Sequence, residues 1–148
     1  MSEQVARAEM LIRHPIAQVF DAFVRPDMIT QFWLEGTSGP LVKGAALEWR
    51  FMVPGAVESV TVTALEVQRR IAFEWSDGVS VDIGFEELPE GATRVTVHAT
   101  GFRGDQAGSD VVNATEGFSI VLCELKILLE MGRPGNLVKD KAELIARA

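Results

Sequence analysis

Apolar and polar residues alternate over the first dozen positions, where Ala6, Ala8, Met10 and Ile12 oppose Arg7, Glu9 and Arg13. A period of two predicts a half-buried strand. The period then changes. Ile16, Val19, Phe20 and Phe23 recur at i, i+3, i+4 and i+7 behind Pro15, the spacing of a short amphipathic helix whose first turn tolerates proline. Proline disfavours the helical region for the residue before it, so Arg25-Pro26-Asp27 interrupts this helix. A second short helix starts at Pro26 and runs to about Trp33.

From 36 to 101 the runs are strand-length. The turn dipeptides Lys43-Gly44, Pro54-Gly55, Arg69-Arg70, Asp77-Gly78 and Glu90-Gly91 divide the segment into six strands. Leu47, Trp49 and Phe51, then Ile71, Phe73 and Trp75, then Val79, Val81, Ile83 and Phe85 alternate with polar residues. One face of the sheet is therefore aromatic and the other wet. Between 57 and 67 the apolar set changes parity from Val60/Val62 to Leu65/Val67, which a one-residue β-bulge near Ala64 would repair. The last strand, 94–100, turns Val95, Val97 and Ala99 inward and His98 outward.

After a polar, glycine-rich loop at 101–108, Ser109 or Asp110 is placed to cap a long helix that ends at Met131-Gly132. Its stripe is Ala114, Phe118, Val121, Leu122, Leu125, Leu128 and Leu129, with Glu116, Glu124 and Glu130 elsewhere on the wheel. At about 22 residues, roughly 33 Å, it can cross a whole antiparallel sheet. Arg133-Pro134-Gly135 breaks it, and 136–148 carries a weak amphipathic pattern through Val138, Ala142 and Ile145.

This order of elements predicts an α+β fold: a curved seven-stranded antiparallel sheet wrapped around the long C-terminal helix, with two short helices between strands one and two. The aromatic face must be covered, and the terminal helix has the only long apolar stripe. Residues 1–132 would form this domain and 133–148 a helical tail of the same domain. Where the sheet curves more than one helix can fill, a cavity follows, and such cavities bind apolar ligands.

Five blocks carry a resemblance: His14-Pro15-Ile16-Ala17-Gln18-Val19-Phe20-Asp21-Ala22-Phe23, residues 26–33, Leu47-Glu48-Trp49, Ile71-Ala72-Phe73-Glu74-Trp75 and residues 122–132, LCELKILLEMG. In order and spacing the chain resembles the START-like helix-grip (SRPBCC) superfamily, and within it the heat-shock-protein ATPase activator homologue branch. The resemblance implies the helix-grip fold, a scaffold that hosts lipid binders, polyketide cyclases and co-chaperone modules alike. Eukaryotic activators add an N-terminal domain that grips the chaperone, for which 148 residues leave no room. A chaperone partner is accordingly not expected.

Charge narrows the partners. With 14 Lys+Arg against 21 Asp+Glu, net −7, the chain repels phosphate backbones and anionic lipid, so neither a nucleic acid nor a membrane is expected as a partner. Apolar runs stop at four residues (Ile120 to Cys123), far below the roughly 20 that span a bilayer. The N-terminus has no basic-then-apolar signal pattern, and the single Cys123 suits a reducing compartment, so a cytoplasmic location is expected.

The chemistry-bearing motifs are few. His14 and His98 lie far apart without metal-ligand spacing, Cys123 falls mid-helix directly after Leu122, and GxSxG, P-loop and GxGxxG patterns are absent. No catalytic residue, metal or cofactor is assigned. Among the acidic residues of 74–90, strand parity puts Glu74, Asp82 and Glu86 on the solvent face with Arg50, Arg94 and His98. The aromatic set is unusual, with 3 Trp and 8 Phe but no Tyr. An interior without phenols lacks a common donor for polarising a carbonyl, which favours binding over catalysis.

The expected ligand-binding residues are Trp33, Trp49, Phe51, Phe73, Trp75, Phe85, Phe118 and Leu122. Trp33 stands at the mouth, where its indole N–H can meet a ligand, and access is expected between the Trp33 corner and the 101–108 loop. The leading function is binding of a small hydrophobic or aromatic molecule between sheet and terminal helix. The alternatives are a polyketide cyclase/dehydratase-like enzyme, which needs an inward ionisable residue, and a co-chaperone-like partner-binding module, such as a homodimer joined by the sheet edge or the tail.

Overall fold

The computed structural model describes residues 4–148. The period-two opening forms β1 (Ala6–Ile12), followed by α1 (Ile16–Val24) and α2 (Pro26–Phe32). Five hairpins then join β2 (Leu34–Thr37), β3 (Ala46–Phe51), β4 (Val57–Glu66), β5 (Arg70–Trp75), β6 (Ser80–Leu88) and β7 (Ala92–Thr100). The sheet is antiparallel throughout in the order β1-β7-β6-β5-β4-β3-β2. Since β1 and β2 hold opposite edges, the α1–α2 connection must cross the concave face, and α1 packs there on β6 and β7. The long helix α3 (Ala107–Met131) lies along β1 and touches α2, and α4 (Leu137–Arg147) folds back on α3. This is the α+β helix-grip arrangement of seven strands and a long C-terminal helix.

The alternation sets the faces. Trp49, Val60, Val62, Ile71, Phe73, Val81, Ile83, Phe85, Val95, Val97 and Ala99 are buried, and His98 is exposed. The register of β4 against β5 shifts between Val62 and Ala64, the bulge expected from the change in parity. Val67 does not continue the inward set. It is exposed, because β4 ends at Glu66 and Gln68, at φ 60°, makes the turn. On the outer face Asp82 pairs with Arg70 at 2.7 Å and Glu86 with Arg94 at 3.0 Å. Arg50 serves a different purpose from the one expected: its guanidinium fills the space that a β-carbon on Gly36 would need.

Helix α3 has 25 residues and begins at Ala107, ahead of the expected caps, and Gln106 at its N-cap makes no side-chain capping bond. Asp110 instead lies in the first turn, where a negative charge favours the helix dipole. The helix ends on Gly132 at φ 80°, whose N–H donates to the Leu128 carbonyl, a left-handed cap that glycine adopts without strain. No helix among the described residues is long and apolar enough to cross a membrane.

Two of the glutamates that lie off the apolar stripe of α3 are tied to neighbouring elements. Glu124 is 2% exposed and accepts the N–H groups of Gly135 at 2.7 Å and Leu137 at 2.9 Å. Its carboxylate thus sits on the N-terminus of α4, where charge and unpaired donors both favour it. A β-carbon on Gly135 would come within 3.1 Å of Glu124 Oε1, so the linker needs glycine there to approach so closely. Glu130 accepts from Lys126 Nζ at 2.7 Å and from the Arg13 N–H at 2.8 Å, and Lys126 also donates to the Leu11 carbonyl. Burial pushes the Glu130 carboxyl up, but these donors outweigh it and hold the group below its ordinary value. One glutamate therefore fastens α4 to α3, and the other fastens α3 to the end of β1.

Candidate functional site

The aromatic side of the sheet is not filled evenly. A cavity of about 360 Å³ opens beside the β3–β4 turn. Trp33, Phe51 and Trp75 line it from the sheet side, Met52, Val53 and Ala56 from the turn, Ala114, Gly117, Phe118, Ile120 and Val121 from α3, and Val138, Lys141, Ala142 and Ile145 from α4. Its origin is steric. The elements covering the rings present Ala114, Gly117 and Ala142, side chains too small to reach across the gap.

Four of the eight expected residues converge there: Trp33, Phe51, Trp75 and Phe118. Trp49, Phe73 and Leu122 are fully buried beside it rather than lining it. Phe85 lies toward α1, 5.2 Å from Phe20 and 5.7 Å from Phe23. Alternation fixes the face on which a side chain lies but not its depth or its distance along the groove. Trp33 is a core residue with one side on the cavity, being 5% exposed and in edge-to-face contact with Trp49 at 5.0 Å and Phe118 at 6.0 Å. The β3–β4 turn and α4 both contribute to the lining, and the 101–108 loop contributes no residue to it.

Helix α4 is the wall that sequence reasoning missed, although its signal was present. Val138, Ala142 and Ile145 are the weak amphipathic stripe of the tail, and all three line the cavity. Lys141, in the same stretch, is the one charged lining residue among those described, and its Nζ lies 3.0 Å from Glu116 Oε1 on α3. Every buried side-chain nitrogen or oxygen among the described residues has a hydrogen-bond partner, and apart from Lys141 the lining side chains are aromatic or aliphatic. A ligand there would meet ring faces and methyl groups, with one ammonium at the rim.

The remaining polar features offer less. A basin on the outer sheet face, lined by Thr63, Arg70, Ser80, Asp82, His98 and Thr100, has its charges already paired. The Arg70 guanidinium is held above its ordinary pKa by hydrogen bonding and charge from Asp82, so it remains a fixed cation. Among the described residues no three His, Cys, Asp or Glu side chains converge on a point that could hold a metal ion. Cys123 is a free, half-buried thiol.

A family model described as activator of Hsp90 ATPase homolog 1-like protein matches residues 13–130. No curated protein matches the chain. Among solved structures, one from Staphylococcus saprophyticus is similar at 28% identity and a TM-score of 0.77, over 88% of this chain and 94% of that one. The Aha1 dimer from Colwellia psychrerythraea is similar at 18% identity and a TM-score of 0.77, over 86% and 97%. DynU16, from the dynemicin biosynthetic locus, is similar at 23% identity and a TM-score of 0.79, over 90% of this chain and 49% of that one. The last two likenesses speak to the fold alone.

Proposed function

The chain belongs to the activator of Hsp90 ATPase homolog 1-like family, and from that premise and its cavity we propose that it binds a small hydrophobic or aromatic molecule between the curved sheet and the C-terminal helices. The carrying observation is the open-mouthed, almost wholly apolar space of about 360 Å³ walled by Trp33, Phe51, Trp75 and Phe118. That volume falls at the low end of the range for ligand sites, about 300–1,000 Å³. Affinity would come from apolar burial, at about 25 cal/mol per Å² removed from water, with the ring faces selecting flat ligands by stacking or edge contacts.

The test is a titration with the neutral fluorophore N-phenyl-1-naphthylamine. One saturable site is expected, weakened at least tenfold by Ala142→Trp, which fills the cavity from α4, with the circular dichroism spectrum unchanged. Fluorescence that rises without saturation, or that ignores the filled cavity, would rule the reading out.

The cyclase-like alternative calls for an ionisable group facing the ligand. Lys141 faces it, but it is engaged by Glu116, and the apolar remainder of the lining supports a binder. Homodimerisation draws support from the likeness to the Colwellia Aha1 dimer and from the exposed Met131 and Leu144 near the end of α3 and on α4. Sedimentation of the wild type against Leu144→Glu tests it, with a monomeric wild type as the contrary result.

A further inference from the structure

The single charged side chain at the cavity gives the ligand a direction. Resting on the binding reading above, we propose that the preferred ligands are small aromatic molecules ending in one carboxylate or sulfonate, with the ring system against Trp33 and Trp75 and the anion at Lys141. Lys141 lies three residues from Val138 and four from Ile145, both lining residues, so all three share one face of α4. Its aliphatic stem runs along the apolar wall while the ammonium reaches the rim, where the side chain is 35% exposed. An ammonium has three donors, and Glu116 Oε1 lies 3.0 Å from this one as its ion-pair partner. An anion arriving with its apolar body in the cavity would share this ammonium with Glu116.

The wider field agrees. Residues 133–148 carry four Lys or Arg and two Asp or Glu, a net +2 within a chain of net −7. The lip of the cavity is thus the basic segment of an acidic protein. An anion is repelled less there than by the rest of the chain. This lip also lies beyond the family-matched span, which ends at residue 130, so the selectivity resides on an element outside it.

Lys141 has a competing structural role, as a strut from α4 to Glu116. Two fluorophores with one ring body separate the roles: anionic 1-anilinonaphthalene-8-sulfonate and neutral N-phenyl-1-naphthylamine. Lys141→Met, which keeps the stem, is expected to weaken the anionic probe about fivefold and to leave the neutral one within about twofold. Glu116→Gln breaks the strut yet releases the ammonium, and is expected to tighten the anionic probe about two- to threefold. A pure strut gives the opposite result, with both variants weakening both probes, and that result would overturn the anchor. So would a ratio of the two affinities unchanged by Lys141→Met while the neutral probe still saturates, which leaves the binding reading standing. Failure of the neutral probe to saturate in the wild type overturns both.

Discussion

The two ends of the concave sheet face differ in what covers them. Under α1 and α2, Phe85 meets Phe20 at 5.2 Å and Phe23 at 5.7 Å, and Phe23 meets Phe32 at 5.2 Å, all edge to face. Under α4, Phe51 and Trp75 lie 5.6 Å from one another, but the helices opposite them present Ala114, Gly117 and Ala142. The sheet supplies large rings at both ends. Ring meets ring at one end and leaves a closed core; at the other the helices set Ala114, Gly117 and Ala142 among larger side chains such as Phe118, and a cavity remains. Trp33 stands between, 6.2 Å from Phe23 and 6.0 Å from Phe118. The covering helices, more than the strands, decide where this fold is solid.

The contrast is sharpest in large-to-small substitutions. Phe23→Ala, at a side chain 1% exposed among three rings, is expected to cost about 3–5 kcal/mol in urea denaturation, through lost burial and an unfilled hole. Trp75→Ala removes a half-buried ring that already borders empty space. It is expected to cost less than about 2 kcal/mol while abolishing saturable binding of the neutral fluorophore. Equal costs at the two positions would mean that the ends are packed alike.

Next in size is the fastening of the cavity's outer wall. Glu124→Gln keeps the shape but opposes an amide N–H₂ to one of the two backbone donors, Gly135 and Leu137, that the carboxylate satisfies. The expected loss is about 1.5–3 kcal/mol. Amide exchange should accelerate across 137–147 and leave 16–32 protected. Exchange that speeds up equally under α1 and α2 would show that α4 is not a separately released cover.

Much of this difference was legible in the sequence, and the part that was not has a physical reason. Period-two alternation identified the inward rings, the parity change at 62–64 located the bulge, and the stripe of α3 showed what the sheet wraps around. Phe85 and Trp75 look equivalent in that pattern, because alternation carries no information on which helix lies opposite. The stripe Val138, Ala142 and Ile145 was visible, yet its partner was not, since the 133–135 break hides the direction in which the tail turns. Glu124 lies off the apolar stripe of α3 in the sequence pattern, yet it is buried. Its burial depends on two backbone donors from residues 135 and 137, which no side-chain pattern records.

A smaller effect distinguishes the two glutamates of α3. Glu130 ties α3 to the end of β1, away from the cavity, and its carboxyl is held below the ordinary 4.5. A lowered folded-state pKa means a contribution present in full above the unfolded value and lost as pH falls through the folded one. Wild type should therefore exceed Glu130→Gln by about 1 kcal/mol at neutral pH, the gap closing as pH drops below 4.5. Probe affinity should be unchanged at neutral pH, because this fastening does not touch the cavity wall. A gap that persists at low pH would assign the loss to packing rather than charge.

The smallest expected effect runs in the favourable direction and says most about why the open end stays open. Gly117 lies within α3 and lines the cavity, and a β-carbon built on it meets no atom within 4 Å. Glycine inside a helix costs about 0.5–1 kcal/mol relative to alanine, because its unfolded chain is freer. Nothing in the packing around this position opposes the extra methyl, which would project into empty space. Gly117→Ala is therefore expected to raise stability by about 0.5–1 kcal/mol while weakening the neutral fluorophore, and Gly117→Leu to weaken it further by occupying more of the cavity. If both variants gain stability and neither loses affinity, the open space under α4 is a packing defect rather than a binding site. Stability gained and affinity lost together would mean that the glycine keeps the volume free at a cost in stability.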